Sequence, residues 1–170
     1  TVLPTIERAV RFYSTFIYPD GSAVETVDER NPYRGGVRFP NVGFTLTPEG
    51  RGFLKQQIDL LARDGHGVGA DNMAGFIMYG QEGPTALTAA QDTDRTFMLS
   101  DKKALIRRKG PWFVCLSAYC CPIPTSRFLE DRQNLVSVFH DKCGLIVGGG
   151  NTKLQPLWSN FTVGDTSLLK

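Results

Sequence analysis

The stretch from Trp112 to Gly150 constrains the fold of this chain more than any other part of the sequence. It contains three short runs rich in apolar, β-branched and aromatic residues, which are Trp112–Tyr119, Leu135–His140 and Leu145–Val147. Segments containing Pro or Gly separate these runs, as is typical of the ends of strands. Val136–His140 also shows the alternation of a strand with one buried face. The stretch therefore predicts consecutive strands of an antiparallel β-sheet.

Further strands are expected on both sides of this stretch. Short apolar runs occur at Thr96–Ser100, Ala104–Arg108 and Phe161–Val163. Lys109–Pro111 and Asp141–Gly144 have the composition of hairpin connections.

The chain before these strands has helical periodicity instead. Apolar residues recur at helical spacing in Pro4–Tyr18, and Pro19–Ser22 carries a strong turn signal. Thr47 suits the N-cap and Pro48 the first turn of a second helix, which is expected to end near Arg63.

The remaining part of this half connects to the sheet. Asn72–Tyr79 predicts one more short helix, and residues 80–95 predict a linker or a short helix with polar ends. Helices over residues 1–95 followed by strands over residues 96–170 predict an α+β fold with two segments.

Composition excludes several functional classes. The chain has 170 residues, 41% of them hydrophobic and 21% charged, which is typical of a globular protein. A net charge of +2 provides no electrostatic footprint for nucleic acid, so no nucleic-acid partner is expected. The apolar runs are shorter than the roughly 18 residues needed to cross a bilayer, so no membrane partner is expected either. Because the chain starts at Thr1 without a signal peptide and ends in a strand-like segment, we expect a fragment of a longer protein.

The sequence indicates neither a metal site nor a cofactor. The four cysteines, Cys115, Cys120, Cys121 and Cys143, lack the paired C-x-x-C spacing of a zinc site. Buried, reduced thiols in strands are the first interpretation, and a bridge between neighbouring strands, such as Cys115 to Cys143, is the alternative. The phosphate loop, the nucleophile elbow and the H-E-x-x-H motif are all absent.

The two histidines lie in different environments. His66 is placed in a flexible turn between two glycines and is interpreted as a solvent-exposed residue. His140 follows an apolar strand in phase with Val136 and Val138, which predicts that it faces the core side. Two interpretations stay open for His140: a satisfied, partly buried side chain, or an acid, base or ligand.

The segment between residues 21 and 48 holds the richest set of polar side chains. Arginine suits bidentate binding of a carboxylate or sulfate, and a tyrosine can transfer a proton. The alternative is a solvated loop with surface ion pairs. The candidate residues for an anionic-substrate cleft are Glu25, Arg30, Tyr33, Arg34 and Arg38.

Two tryptophans are candidates for stacking on sugar rings. Trp112 follows Gly110 and Pro111, which favours packing in the core or against a hairpin. Trp158 lies in a polar segment and is the more open of the two to a binding role.

The order of these features resembles the heparinase II/III-like polysaccharide lyases. The resemblance rests on an amphipathic helix, then Tyr18–Ser22 with Glu25 and Tyr33, then helices, then strands that contain Val138–Asp141. Members of this family pair an incomplete α/α toroid with an antiparallel β-sandwich. The resemblance implies that this chain spans the last toroid helices and the first sandwich strands.

The resemblance also implies an activity, which is the β-elimination of uronic-acid-containing polysaccharide. Tyr33 is then the candidate for proton transfer, and His140 is its candidate partner from the sandwich side. The candidate substrate-binding residues are Glu25, Arg30, Arg34, Arg38 and Trp158. An anionic polysaccharide partner and a periplasmic or extracellular location follow from the same resemblance, with no cofactor and no metal.

Two other functions stay open at this stage. A non-catalytic glycan-binding or structural β-sandwich module would show exposed aromatic residues, such as Trp158, on a flat sheet face, and no cluster of titratable groups. A hydrolase would need two carboxylates at a defined separation across a cleft, for example from Glu25 and Asp28 or from Glu130 and Asp131.

Overall fold

The computed structural model describes residues 2–24, 36–37, 39–118 and 134–148. Three α-helices precede a five-stranded antiparallel sheet, so the predicted α+β class is confirmed. The chain divides into two compact units, the first from residues 1–22 and 36–92 and the second from residues 23–35 and 93–170. The two predicted segments, 1–95 and 96–170, stay a prediction, and the first strand begins at Asp94.

The first helix, α1, spans Leu3–Thr15, with a proline in its first turn. It ends three residues before the predicted end because Phe16 leaves the helical conformation. The turn that follows is held by the carboxylate of Asp20, which accepts hydrogen bonds from the Ser22 N–H at 3.0 Å and from the Ser22 hydroxyl at 2.6 Å. The chain therefore reverses where the turn signal predicts.

The second helix, α2, spans Pro48–Arg63, as the sequence predicts. The hydroxyl oxygen of Thr47 accepts a hydrogen bond from the N–H of Gly50 at 3.0 Å, which satisfies one of the helix's unpaired amides. Its buried face carries Phe53 and Leu54. The side chain of Gln57, also buried, donates to the carbonyl of Gly21 at 3.1 Å and so ties α2 to the turn after α1.

An aromatic cluster forms the core of the first unit. The rings of Tyr13, Phe44 and Phe53 meet pairwise, with centroid distances of 5.8, 5.9 and 6.2 Å. Phe44 reaches this cluster from a 3-10 helix, Val42–Leu46, which the sequence did not predict. Aromatic contacts of this kind stabilise a fold beyond the area that they bury.

The third helix, α3, spans Ala70–Tyr79 and confirms the predicted helix, which begins two residues earlier than expected. Phe76 of α3 meets Phe39 edge to face at 5.4 Å. Between residues 80 and 95 there is one short 3-10 helix, Ala89–Gln91. Within the described residues, no helix is both long and apolar enough to cross a membrane.

The sheet has strands in sequence order, each antiparallel to the next. The predicted connections 109–111 and 141–144 are confirmed as turns, and the predicted strand Phe161–Val163 lies outside the described residues. The strands are β1 (Asp94–Met98), β2 (Ala104–Lys109), β3 (Trp112–Ala118), β4 (Asn134–His140) and β5 (Gly144–Val147).

One face of this sheet is buried and the other is half-exposed. The buried face carries Ile106 of β2, Phe113 and Cys115 of β3, and Ser137 and Phe139 of β4. Val136, Val138 and His140 alternate with these residues and therefore lie on the half-exposed face. The prediction that His140 faces the core side is wrong, because the buried positions of β4 are occupied by Ser137 and Phe139.

The cysteines that the structure describes are not joined to each other. Cys115 is buried in β3, as the first interpretation predicts, whereas Cys143 is exposed in the turn before β5. The alternative of a bridge between Cys115 and Cys143 is therefore wrong. Cys120 and Cys121 lie outside the described residues.

Candidate functional site

A row of polar and aromatic side chains crosses one end of the sheet on its half-exposed face. Asp94 pairs in register with Lys109, Lys109 with Trp112, and Trp112 with His140. Residues that are paired in this way across antiparallel strands project their side chains to the same face. With Arg107, which contacts Asp94, these residues form what we call the sheet corner: Asp94, Arg107, Lys109, Trp112 and His140.

Trp112 and His140 form the centre of the sheet corner. Their rings meet edge to face with a centroid distance of 4.6 Å and an interplanar angle of 70°. Trp112 is 47% exposed, so a large part of its side chain is open to solvent. The sequence predicted that Trp112 packs in the core or against a hairpin; the structure instead places its ring, partly exposed, against His140 of β4.

The turn after β4 determines which tautomer of the neutral His140 ring is favoured. The backbone N–H of Lys142 donates a hydrogen bond to Nδ1 of His140 at 3.1 Å. An accepting Nδ1 carries no proton, so the proton of the neutral ring lies on Nε2. The neutral His140 ring can therefore donate a hydrogen bond through Nε2 without breaking its contact with the turn.

The same turn is anchored to the buried face of the sheet. Arg108, whose side chain is only 8% exposed, donates from Nη2 to Asp141 at 2.7 Å. The N–H of Asp141 also donates to the carbonyl of Pro111 at 3.0 Å, which joins the two turns at this end of the sheet. These contacts restrict the positions of both Trp112 and His140.

Two cations neutralise the carboxylate of the sheet corner. Lys109 donates to one oxygen of Asp94, and Arg107 lies 2.9 Å from the other. The hydrogen bond from Lys109 is the main reason that the pKa of Asp94 is lowered; partial desolvation opposes it, and the hydrogen bond from Arg107 adds to it. Asp94 therefore stays ionised, and the excess charge of its two partners gives the sheet corner a net positive charge.

The structure places few of the residues that the sequence singled out. His140 lies in the sheet corner, and His66 is exposed after α2, as expected. Tyr33 and the predicted substrate-binding residues are not among the described residues. Those residues are Glu25, Arg30, Tyr33, Arg34, Arg38 and Trp158.

Sequence reasoning did not bring Trp112 and His140 together. Trp112 starts β3 and His140 ends β4, so antiparallel pairing places them at the same end of the sheet. The alternation within each strand was visible in the sequence, but the register between the strands was not. The sequence also did not single out the charged residues of the sheet corner, which are Asp94, Arg107 and Lys109. Each looks like an ordinary surface charge on its own strand, and only the register between strands brings them together.

The sheet corner has the side chains of a site for an anionic, partly apolar ligand. It offers an exposed indole, an imidazole N–H and excess positive charge, whereas no group of His, Cys, Asp or Glu side chains in the described part of the chain could hold a metal ion. Comparison of the chain with protein-family models, curated proteins and solved structures finds no match.

Proposed function

We propose that this chain binds uronic-acid-containing polysaccharide through the sheet corner, as a glycan-binding β-sheet module. The observation that carries the proposal is the exposed Trp112 ring, held edge to face against His140. An aromatic side chain at a wet surface presents an apolar face with little loss of side-chain freedom when a ligand binds.

The charges around this pair favour an acidic sugar over a neutral one. Uronic acids carry a carboxylate on a ring that also has an apolar face. Trp112 suits the apolar face of the ring, and the Nε2–H of His140 suits an oxygen acceptor. Lys109 and Arg107 favour the carboxylate through the positive charge that Asp94 does not neutralise.

A second candidate function is β-elimination by a heparinase II/III-like lyase, in which α1–α3 belong to an α/α toroid and the sheet to a β-sandwich. The specific observation in its favour is the position of His140, whose Nε2 is left open by the turn; once protonated to the imidazolium, which releases the Nδ1 contact with Lys142, the ring can give a proton to a leaving oxygen. In this proposal Tyr33 removes the proton, and Glu25, Arg30, Arg34, Arg38 and Trp158 contact the sugar. A periplasmic or extracellular location accompanies it, because its polymeric substrate is found there.

The proposed binding is tested by titrating the chain with hyaluronan, alginate and polygalacturonate, with dextran as the neutral control. We expect binding to the acidic polymers that weakens with salt, and about tenfold loss in Trp112→Ala. Met98→Ala is the matched control, because Met98 is 50% exposed at the far end of the same sheet face. Equal binding by the two variants, or equal binding to dextran, contradicts the proposal.

The same polymers distinguish the two candidate functions. A lyase produces an unsaturated uronate whose ultraviolet absorbance rises with time. Absorbance that grows with the unmodified chain and is lost in His140→Ala supports β-elimination. Binding without any rise in absorbance supports the glycan-binding module.

A further inference from the structure

A cleft of about 320 Å³ opens in the first unit between α2, α3 and the 3-10 helix Val42–Leu46. Its volume lies within the range of small-molecule binding sites. The walls are apolar and come from Phe39, Leu54, Ile58, Met73 and Phe76. Ile58 and Met73 remain partly exposed at 43% and 45%, so the apolar wall is open to a ligand from solvent.

The charged side chains that line this cleft are both cations, Arg51 and Lys55. Arg51 donates from Nε to the carbonyl of Pro84 at 2.8 Å and from Nη1 to the carbonyl of Thr45 at 2.5 Å. Both acceptors are neutral backbone groups. No carboxylate among the described residues pairs with Arg51, so its charge is fixed in position without a counter-charge.

The surroundings make this charge unusual. A guanidinium next to apolar walls loses part of its hydration, which a carboxylate partner would offset. Lys55, one helical turn further along α2, already has such a partner, since its Nζ lies 2.7 Å from Asp59. Within the described part of the chain, Arg51 is thus the charged group of the cleft that has no anionic partner.

From this arrangement we propose that the cleft binds a small monocarboxylate with an apolar body. The apolar body lies against Leu54, Ile58 and Met73, and the carboxylate accepts hydrogen bonds from the guanidinium of Arg51. Because two backbone carbonyls already hold the guanidinium, ligand binding costs little side-chain entropy at this position. An alkyl ammonium ion would be repelled by the positive charge of Arg51. An alcohol would bind without supplying a counter-charge to the guanidinium.

The head group of the ligand provides a test that needs no variant. Octanoate, octanol and octylammonium share one apolar chain and differ in charge. Isothermal titration of the unmodified chain is expected to show octanoate binding at least about tenfold tighter than the other two. Equal affinity for octanol or for octylammonium overturns the proposal.

The apolar body is tested by chain length and by a matched pair of variants. Hexanoate, two methylenes shorter, is expected to bind about tenfold weaker than octanoate. Ile58→Glu places a carboxylate on the cleft wall and should weaken octanoate binding at least tenfold. Ile77→Glu, on α3 outside the cleft at a residue 79% exposed, should leave it unchanged. Equal affinity for hexanoate and octanoate, or an equal loss of octanoate affinity in the two variants, overturns the proposal.

Discussion

Lys142 donates its backbone N–H to Nδ1 of His140 at 3.1 Å, and this single contact restricts what His140 can do. A ring nitrogen that accepts from a backbone amide cannot also carry a proton. The neutral imidazole therefore has its proton on Nε2, the nitrogen left for a ligand. His140 is suited to donate rather than to accept.

This relationship predicts the tautomer of His140 in solution. Two-bond proton–nitrogen spectra of the neutral ring should show Nε2 protonated and Nδ1 unprotonated. His66, which is exposed in a glycine-containing turn, provides an internal reference recorded in the same sample. Protonation of Nδ1 in the neutral ring would remove the structural basis for a donor role and would favour a general base at Nε2.

The charge state of Asp94 gives a second prediction. Lys109 contributes most to the lowered pKa of Asp94 and Arg107 contributes less, so Lys109→Gln should raise this pKa towards its ordinary value of 3.8 more than Arg107→Gln does. A depressed carboxyl pKa stabilises the fold above 3.8, and this stabilisation is lost as the pH falls through the lower folded value. Carboxyl carbon shifts measured by NMR from about pH 1.5 to about pH 6, which brackets the ordinary carboxyl range, follow the titration directly. A larger rise in Arg107→Gln would contradict the ranking.

The fold was more predictable from the sequence than the site was. Thr47 and Pro48 predicted the start of α2 because capping depends on neighbouring residues alone. The side of the sheet that His140 faces depends instead on which face of β4 is covered. Ser137, a polar residue, lies buried opposite Cys115, and nothing local to β4 predicts that its apolar neighbours Val136 and Val138 lie on the more exposed face.

The exposure of Trp112 was likewise not predictable from its own strand. A large aromatic residue after a Gly–Pro turn is ordinarily expected to pack inside, and hydrophobicity alone supports that expectation. Its exposure follows from its position on the less buried face of β3, and strand register then places it beside His140 of β4. Long-range pairing of this kind cannot be obtained from the period of a single strand.

The ion pair beneath the turn predicts an asymmetric response to mutation. Asp141→Ala leaves Arg108, which is almost fully buried, without its carboxylate and should lower the free energy of unfolding by about 1–2 kcal/mol. Arg108→Met with Asp141→Ala removes both charges and places an apolar chain on the buried face, so the double variant should lose less than Asp141→Ala alone. Urea unfolding of the three chains measures this difference. If the double variant were less stable than Asp141→Ala, the prediction would be contradicted, because Arg108 would then stabilise the sheet even without its carboxylate partner.

Two glycines in helices provide the sharpest test of packing in the first unit. A Cβ atom added at Gly52 of α2 would lie 1.9 Å from the carbonyl oxygen of Ala86, so the backbone at 86 must move away from the helix. Gly52→Ala should therefore lower the free energy of unfolding by more than about 2 kcal/mol, despite the better helix propensity of alanine.

Gly75 of α3 is the matched control, because a Cβ atom there meets nothing within 4 Å. Gly75→Ala should stabilise the chain by about 0.5–1 kcal/mol through helix propensity alone. Thermal and urea unfolding measured side by side should move in opposite directions for the two variants. If Gly52→Ala also stabilises the chain, the segment around Ala86 does not rest on α2 in solution. Arg51 would then lose its contact with Pro84, and with it the fixed position on which carboxylate binding in the cleft depends.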